Sequence, residues 1–570
     1  MGIKFFYKWL TSNYKNCITG FRTSSPPKEV IIDTFLIDMN GLFHNSAQRI
    51  FKYGNGAPRP SIFRTTNVEP VHYNERTQIA CFQDVTKTLE ELVTLVNPRK
   101  TLVLAIDGVA PASKINQQRQ RRFRSAMTDM PVGSFNPISI TPGTTFMDSL
   151  STYIDWYIKK RISESDAWRR LKIVFSTEKQ PGEGEHKLIE YIRKNGKDDE
   201  TFCINALDAD LVMLSLATFK PKFYLLRDEQ YSRDYDYSFV SISGVRNELQ
   251  KILFWKGCDE KTLIKDFILI CFLCGNDFLP NIPSISIIEN GLDTMINIYN
   301  RNAKHLIDSE NKIILPAFKE FLERIGDCEE GMIIQRIVNK SEYIPDPMLE
   351  KYSTTSYLVS EANEASSDLG VPIVNFDMAG YKNEYYTKKG VSGSAAHSYL
   401  TGCQWVFTYY LDGVKDWTWL YPYNYAPFAV DIASSIGSYK GGVFSSNTPI
   451  SPFEQLLCVI PPKCAYLLPK PLDSLLRSRV FARFSPSQFT VNCAGKKFEY
   501  EGIVELPPID IAVISSEYSK MKDAVNANDQ SRRNTTKNAC VYAHMGGDPA
   551  VYRSKFGNIK NYTVDIQDVL

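Results

Sequence analysis

The chain has 570 residues, of which 43% are hydrophobic and 12% are aromatic. At about 150 residues per domain this length suggests roughly three or four domains, and the apolar content excludes wholesale disorder. The 66 Lys and Arg residues nearly balance the 64 Asp and Glu residues, which leaves a net charge of +2. A generally basic nucleic-acid binder is therefore excluded, and any contact with nucleic acid must come from a local patch.

The sequence predicts an intracellular protein that does not span a membrane. Its longest purely apolar run, Phe267 to Cys274, is too short to cross a bilayer. The 12 cysteines are scattered along the chain, and no secretory signal is recognisable at the N-terminus. We therefore expect reduced thiols rather than a disulfide framework.

Residues 30–310 alternate between short apolar runs and longer amphipathic stretches. The apolar runs predict buried strands at 31–40, 101–108, 171–176, 201–210 and 222–227. The amphipathic stretches predict helices at 79–96, 112–127, 146–162 and 184–194. This alternation predicts an α/β fold with a mostly parallel central sheet and helices on both faces.

The composition changes after this α/β region, and we predict three parts of the chain. The first is an N-terminal domain at 1–325. Residues 326–395, rich in Ser, Asn, Glu and Pro, are predicted to be a partly mobile connector. A second, aromatic-rich helical or mixed block at 396–570 packs on the first domain and contains WVFTYYLDGVKDWTWLYPYNYAPF at 405–428.

Acidic residues fall at the ends of the predicted strands, in a glycine-punctuated loop and after an apolar helix. Taken singly, an Asp after a strand is often a helix cap. Taken together, such residues meet at the carboxyl edge of a parallel sheet, where unpaired carboxylates would repel each other. Oxygen ligands suit Mg²⁺ or Mn²⁺, and two such ions can hydrolyse a phosphodiester. The seven residues are Asp38, Asp107, Glu183, Glu185, Asp208, Asp210 and Asp277.

A basic helix is predicted directly after the Asp107 strand. Five basic residues and no acid lie between Lys114 and Arg124. Lys114, Gln118, Arg121 and Arg122 share one helical face, and guanidinium groups bind phosphate in bidentate fashion. The alternative is a solvated basic face, which the adjacency to Asp107 disfavours. The pattern therefore predicts an anionic ligand beside the carboxylates.

Several long motifs resemble the Xrn-type 5′→3′ exoribonucleases, in the order that the family has them. The matching segments cover most of the chain: LIDMNGLFHN (36–45), AIDGVAPASKINQQRQRRFR (105–124), ITPGTTFM (140–147), PGEGEHKLIEYIR (181–193), ALDADLVML (206–214), FLCGNDFLPNIPS (272–284), the stretch at 399–427, PFEQLLCVIPP and LLPKPL (452–472), and SRRNTT (531–536).

The resemblance implies a FEN/PIN-like nuclease core in the 1–325 domain. It implies processive 5′→3′ hydrolysis of 5′-monophosphorylated single-stranded RNA to 5′-mononucleotides by two-metal catalysis. The family's metal ligands fall on the seven carboxylates named above, with two Mg²⁺ ions as cofactors and Mn²⁺ as a substitute. Its pocket for the 5′-phosphate falls on Lys114, Gln118, Arg121 and Arg122.

The resemblance also implies that His44 stacks on the first bases of the RNA. Its stacking partner is a tryptophan of the second block, and the sequence leaves open whether this is Trp417 or Trp419. The chain departs from the family at Lys4, where a Pro is usual, and at Asn424, where a His is usual. Both departures are expected to alter the RNA channel or its edges.

From the resemblance we expect a compact form of the family that lacks the long C-terminal extension, and an accessory protein that replaces those domains is then a candidate partner. The cytoplasm is the expected location in preference to the nucleus. Two alternatives to the exoribonuclease stay open. One is a flap or structure-specific DNA nuclease of the same superfamily. The other is a catalytically inactive RNA-binding scaffold, which the presence of all seven carboxylates disfavours.

Overall fold

The computed structural model describes residues 2–54, 71–205, 210–229, 232–358, 371–536, 538–546 and 548–569. Its strands are β1 Ile18–Phe21, β2 Thr34–Asp38, β3 Thr101–Ala105, β4 Lys172–Ser176, β5 Phe202–Asn205, β6 Phe223–Asp228, β7 Tyr237–Ser241, β8 Ser353–Leu358, β9 Val371–Phe376, β10 Thr490–Asn492, β11 Ile503–Glu505, β12 Ala539–His544, β13 Ala550–Tyr552, β14 Ile559–Tyr562 and β15 Val564–Val569.

The helices are α1 Phe6–Asn13, α2 Met39–Phe51, α3 Glu75–Val96, α4 Ala112–Ser125, α5 Thr145–Glu164, α6 Asp166–Arg169, α7 Gly184–Asn195, α8 Asp210–Leu216, α9 Ile242–Leu253, α10 Glu260–Phe272, α11 Gly291–Asn302, α12 Leu315–Val338, α13 Pro347–Lys351, α14 Met378–Lys389, α15 Ala395–Asp412, α16 Ala429–Ser435, α17 Pro452–Val459, α18 Ile511–Met521 and α19 Ala527–Gln530. Four of the helices, α3, α4, α5 and α7, match the four predicted amphipathic stretches to within a few residues at each end.

A nine-stranded sheet forms the centre of the fold, in the order β1-β7-β6-β5-β2-β3-β4-β12-β15. The five central strands, β6 to β4, are parallel to their neighbours, whereas the outer pairs are antiparallel. This confirms the predicted α/β fold with a mostly parallel sheet. The register sets Asp38 opposite Ala105, so the carboxyl ends of β2 and β3 lie at one edge.

The two faces of the sheet bury different residues because side chains alternate along a strand. On β2, Leu36 packs into one apolar cluster, whereas Phe35 and Ile37 pack into the other. The aromatic helix α15 belongs to the first cluster, where Tyr409 and Tyr410 are buried. Much of the aromatic density of the second block therefore serves the core.

The second block also extends the sheet, which the sequence did not predict. Strand β12 pairs with β4 in antiparallel fashion, and β15 pairs with β12. This arrangement covers the edge of β4, whose unpaired backbone groups would otherwise invite association with another chain. Strands β12 and β15 of the second block therefore extend the central sheet of the first domain.

The interval 326–395 holds part of α12, the helices α13 and α14 and the antiparallel pair β8 and β9. Helix α12 runs through the predicted boundary at 325, and its buried Glu329 accepts hydrogen bonds from Ser284 Oγ at 3.0 Å and Ala429 N at 2.9 Å. Residues 359–370 of the predicted connector lie outside the described residues. Among the described helices, none combines the length and the apolar character that a bilayer-spanning segment needs.

Candidate active site

A cavity of about 390 Å³ lies at the carboxyl ends of the central strands. It brings together two groups of residues that are far apart in the sequence, namely carboxylates of the predicted metal site and the basic face of α4. Nine of the predicted site residues line it: Asp38, His44, Asp107, Lys114, Gln118, Arg121, Arg122, Glu183 and Glu185. The acidic residues and the basic helix that the sequence predicts separately therefore line the same cavity.

The strand ends and the start of α7 position the carboxylates. Asp38 ends β2 and also caps α2, because its Oδ1 accepts a hydrogen bond from Asn40 N at 3.1 Å. Asp107 Oδ1 accepts from Gly184 N at 2.7 Å. A Cβ on Gly184 would lie 2.6 Å from Asp38 Oδ1, so only glycine lets α7 approach both strands this closely. Glycine at this position thus brings the loop carboxylates to the strand carboxylates.

Lys114 links the basic helix to two carboxylates. Its Nζ lies 2.5 Å from Glu183 Oε2 and 2.7 Å from Asp277 Oδ2. The hydroxyl of Tyr409 donates to the other oxygen of Glu183 at 2.9 Å. The sequence assigned Lys114 to the phosphate pocket, and the structure shows that its charge is already balanced by two acidic residues.

Burial and the ion pairs with Lys114 together determine the protonation of Glu183, Asp277 and Lys114. Burial raises the pKa of Glu183, and the Lys114 ammonium offsets part of that effect. At Asp277 burial also raises the pKa, but the charge and hydrogen bond of Lys114 act together with other nearby cations, Arg121 among them, and hold the pKa of that carboxyl below its usual range. Burial opposes the charge of Lys114, yet Asp277 and Glu183 hold the pKa of Lys114 well above its usual value.

The N-terminal segment contacts a further carboxylate of the predicted set, that of Asp210. Asp210 opens α8 and is buried, and its Oδ1 accepts a hydrogen bond from Ile3 N at 3.0 Å. Gly2 lies so close that a Cβ there would clash with the Asp210 carboxylate. Asp208, the remaining member of the predicted set, lies outside the described residues.

The chemistry of these donors fits a hard divalent cation. Four carboxylates line one cavity with Asn40 and Asn205, and the absence of a Cβ at Gly184 lets the chain pass close to Asp38. Such oxygen donors are the ligands that Mg²⁺ and Mn²⁺ prefer. Within the part of the chain that the structure describes, no three His, Cys, Asp or Glu side chains already form a metal-binding cluster.

The guanidinium of Arg122 is held by neutral groups. It donates to Thr141 Oγ1 at 2.8 and 3.1 Å and to Gln118 Oε1 at 3.4 Å. Burial, and then the neighbouring Arg121, lowers the pKa of Arg122 to about 9. A half-buried cation with neutral acceptors and a second cation beside it favours a bound anion. Gln118 and Arg122 therefore have the environment of an anion pocket, and Arg121 is exposed beside them.

The sequence did not single out two residues that support this pocket. Thr141 lies in the loop before α5 and accepts from Arg122. Gln455, on α17 of the second block, is buried; its Oε1 accepts from Ala110 N at 2.8 Å, and its Nε2 lies 3.5 Å from Gln118 Oε1. Both stand in motifs of the family resemblance, but their contacts depend on tertiary packing.

The two candidate tryptophans occupy different environments. Trp419 stacks on Trp405, with ring centroids 5.0 Å apart, and packs against the large apolar cluster. Trp417 is anchored through its main chain at the start of α4, where its carbonyl accepts from Ala112 N at 2.8 Å. Its ring is half-buried, and no aromatic ring in the described part of the chain packs against it. Both rings are half-buried, so the two tryptophans differ in the stacked neighbour of Trp419 and in the position of Trp417 beside the basic helix.

His186, next to Glu185, belongs to the packing of the site. Its ring lies parallel to that of Tyr409 at 3.7 Å. Burial, and then the nearby Lys114 ammonium, keeps the pKa of His186 well below its usual value. The imidazole is therefore neutral and supports the tyrosine that binds Glu183.

Two family models match the chain. The first, described as the XRN 5′-3′ exonuclease N-terminus, matches residues 1–229, and the second, the Xrn1 helical domain, matches residues 258–371 and 348–560. Human 5′-3′ exoribonuclease 1 is 29% identical over an alignment that covers 90% of this chain and 33% of that protein. Arabidopsis thaliana 5′-3′ exoribonuclease 2 is 26% identical, and the alignment covers 94% of this chain and 68% of that protein.

The chain thus spans about a third of the length of the human relative and about two thirds of the plant relative. Among solved structures, the catalytic core of Rad2 in complex with a DNA substrate is similar at a TM-score of 0.33 and 14% identity. That similarity covers 68% of this chain and 96% of the other, and the score is too low to support a functional comparison.

Proposed function

Because the chain belongs to the XRN 5′-3′ exonuclease family, we propose that it is a processive 5′→3′ exoribonuclease. Its substrate is single-stranded RNA with a 5′-monophosphate, and its product is a 5′-mononucleotide. The observation that carries this proposal is the single cavity in which carboxylates meet a guanidinium held by neutral groups. A strand with a terminal phosphate supplies the anion that this arrangement favours.

The basic face of α4 receives the 5′-phosphate. Arg122 and Gln118 form its inner wall, and Arg121 closes it from the exposed side. Thr141 fixes the guanidinium plane of Arg122, so the donors are oriented before the phosphate arrives. Ile138 and Ile140 line the same cavity. This apolar boundary disfavours the extra charge of a triphosphate end, because a charged group gains little from apolar neighbours.

The carboxylates hold the proposed metal ions. Two Mg²⁺ ions, with Mn²⁺ as a substitute, would supply a hydroxide nucleophile and stabilise the leaving oxygen of the phosphodiester. The residues that would hold them are Asp38, Asp107, Glu183, Glu185, Asp208, Asp210 and Asp277. Hydrogen bonds from Gly184 N and the Tyr409 hydroxyl orient Asp107 and Glu183 for this role.

His44 and Trp417 stack on the first bases of the RNA in this proposal. His44 lines the catalytic cavity, and Trp417 lies at the start of the helix that carries the phosphate pocket. Stacking tolerates any base, which suits an enzyme that advances along a strand of mixed sequence. Trp419 is left as a core residue because it already stacks on Trp405.

The proposal is tested with a 3′-labelled single-stranded RNA in the presence of Mg²⁺. Substrates with 5′-monophosphate, 5′-hydroxyl and 5′-triphosphate ends are compared, and an Asp107→Asn variant is the matched control. We expect the 5′-monophosphate RNA to disappear without intermediates, and the variant to be inactive.

Two results would contradict this function. Preferential cleavage of a DNA flap over the RNA would support the structure-specific DNA nuclease. RNA binding without cleavage of any end, in the presence of Mg²⁺ or Mn²⁺, would support the scaffold.

A further inference from the structure

A second cleft, of about 210 Å³, lies beside the catalytic cavity. Arg121 lines both spaces. Lys114 lines the catalytic cavity and its partner Asp277 lines the cleft. The Lys114–Asp277 ion pair and Arg121 thus form a shared wall. On its other side the cleft adjoins a further cavity of about 300 Å³, and Lys4 and Lys496 line both.

The two departures from the family pattern meet in this cleft. Lys4 and Asn424 both line it, although they are 420 positions apart in the chain. The Lys4 Nζ donates to Glu501 O at 3.1 Å, and Asn424 Oδ1 accepts from Gln120 Nε2 at 3.3 Å. A proline at position 4 would bring no cation here, so the cleft of this chain has a charge that the usual family residue lacks.

The cations that line the cleft, Lys4, Arg121, Arg124 and Lys496, outnumber its two acids, Asp277 and Glu501. The carboxylate of Glu501 attracts both Lys4 and Lys496. Lys4 and Arg124 donate to main-chain carbonyls, at Glu501 and at Tyr500 and Gly502 respectively. Asp277 is already paired with Lys114. Burial, and then the neighbouring Lys4, lowers the pKa of Lys496 to about 8. These cations gain from an anion placed between them, since opposite charge favours the protonated amines.

Neutral polar groups of the cleft also lack partners. Both side-chain polar atoms of Gln117 and the Nδ2 of Asn276 are buried with no hydrogen-bond partner among the described residues. Both residues line the cleft. A buried amide without a hydrogen-bond partner is unfavourable, and a ligand with its own donors and acceptors would supply the missing partners. A nucleobase edge has such groups.

An aromatic platform stands at the rim. The rings of Tyr500 and Phe498 are stacked with centroids 5.2 Å apart and planes 9° apart. They are exposed by 58% and 41% respectively, and Tyr500 lines the cleft. Exposed, parallel aromatic rings beside cations are the arrangement on which unpaired bases stack.

We propose that this cleft is a binding site for a nucleoside 5′-monophosphate. The phosphate binds between Lys4, Lys496 and Arg121, and the base reaches Gln117 and the Tyr500 platform. The identification of this ligand with the reaction product rests on the function proposed above. A product bound in the cleft would lie outside the catalytic cavity, on the other side of the shared wall.

The test measures binding of AMP to the full chain by calorimetry, in EDTA so that no divalent metal contributes. We expect Lys496→Gln and Lys4→Pro each to weaken the Kd about tenfold, since each removes one charged partner of the phosphate. Arg122→Gln is the matched control, because Arg122 lines the catalytic cavity and not the cleft. It should remove any binding of AMP at the catalytic phosphate pocket and leave the Kd of AMP for the cleft within about twofold.

Two probe ligands separate the parts of the site. Adenosine and inorganic phosphate should each bind more weakly than AMP. Equal affinity for phosphate and AMP would overturn the nucleotide assignment. Absence of AMP binding, or its loss in Arg122→Gln but not in Lys496→Gln, would overturn the cleft as the site.

A second measurement needs no variant. AMP should protect Lys4 and Lys496 of the unmodified chain from acetylation, read by mass spectrometry, and should leave the exposed Lys256 unprotected. Equal labelling of Lys4 and Lys496 with and without AMP would contradict the proposal. RNA degradation is assayed on the same preparations. If the chain degrades no RNA but still binds AMP in a way that depends on Lys496, the proposed function is refuted. The cleft then remains a nucleotide-binding site.

Discussion

The Nζ of Lys114 lies 2.7 Å from Oδ2 of Asp277, and this ion pair separates the catalytic cavity from the second cleft. The same ammonium lies 2.5 Å from Glu183. One lysine of the basic helix therefore forms ion pairs with two acids, one directly before α7 and one in the loop after α10. The side chains of Lys114 and Asp277 are only 10% and 5% exposed, so little water screens the pair.

Replacing Lys114 with Met should strongly destabilise the protein. The change leaves Glu183 and Asp277 as buried, uncompensated charges, which costs about 3–5 kcal/mol. The free energy of unfolding is measured in urea at neutral pH with EDTA present. Lys312→Met is the control, because its partner Glu310 and Lys312 itself are exposed and should contribute nothing measurable. A Lys114→Met variant as stable as the control would show that the ion pair does not hold the site together.

The stability difference between wild type and Lys114→Met should narrow as the pH falls from about 7 to about 4. The pKa of Asp277 in the folded wild type lies below its unfolded value, so its stabilising effect is present above that unfolded value and is lost only at lower pH. In the variant the carboxyl has lost its cation and its pKa rises, so protonation relieves the buried charge. Urea unfolding curves across this pH range measure the difference in unfolding free energy between the two proteins. A difference that stays constant with pH would contradict the protonation of buried carboxyls as its cause.

Arg122→Ala should reduce the preference for 5′-monophosphate over 5′-hydroxyl RNA by about tenfold or more, because charged hydrogen bonds contribute about 1.5–3 kcal/mol. The ratio of the two kcat/KM values measures it. The rate on 5′-hydroxyl RNA in the same variant is the internal control, and it should change little. If Arg122→Ala keeps the full preference for 5′-monophosphate RNA, the 5′-phosphate does not bind at Arg122.

The two tryptophans should give opposite results when each is changed to Ala. Trp417→Ala should weaken RNA binding by about 1–3 kcal/mol, which is the contribution of base stacking, and should leave the unfolding free energy nearly unchanged. Trp419→Ala should lower the unfolding free energy by about 2 kcal/mol or more, since it leaves a space beside Trp405. Measurements of RNA affinity and of urea unfolding distinguish the two variants. Loss of RNA affinity in Trp419→Ala and loss of stability in Trp417→Ala would show that Trp419 stacks on RNA and Trp417 belongs to the core.

Addition of Mg²⁺ should raise the midpoint of thermal unfolding, because the cation binds the folded state. Asp107→Asn should lose most of this increase, while its midpoint in EDTA should stay close to that of the wild type. Differential scanning calorimetry reads both effects without any need for activity. An equal Mg²⁺ response in the two proteins would show that Asp107 is not a ligand.

The sequence by itself determined the central part of the fold and the two groups of the site. The stretch 112–127 predicts a helix, and α4 spans Ala112–Ser125. The run 101–108 predicts a strand, and β3 spans Thr101–Ala105 with Asp107 just after it. These features are local, because hydrophobic periodicity and the position of a residue after a strand are written in neighbouring residues.

The tertiary structure decided what depends on distant contacts. It gave Trp417 and Trp419 different surroundings, since only Trp419 stacks on Trp405, and it set Lys114 between Glu183 and Asp277. It also added β12 and β15 to the sheet edge and brought Lys4 to the cleft of Asn424. No local pattern contains this information, because packing pairs residues hundreds of positions apart and the burial of a side chain depends on which elements cover it.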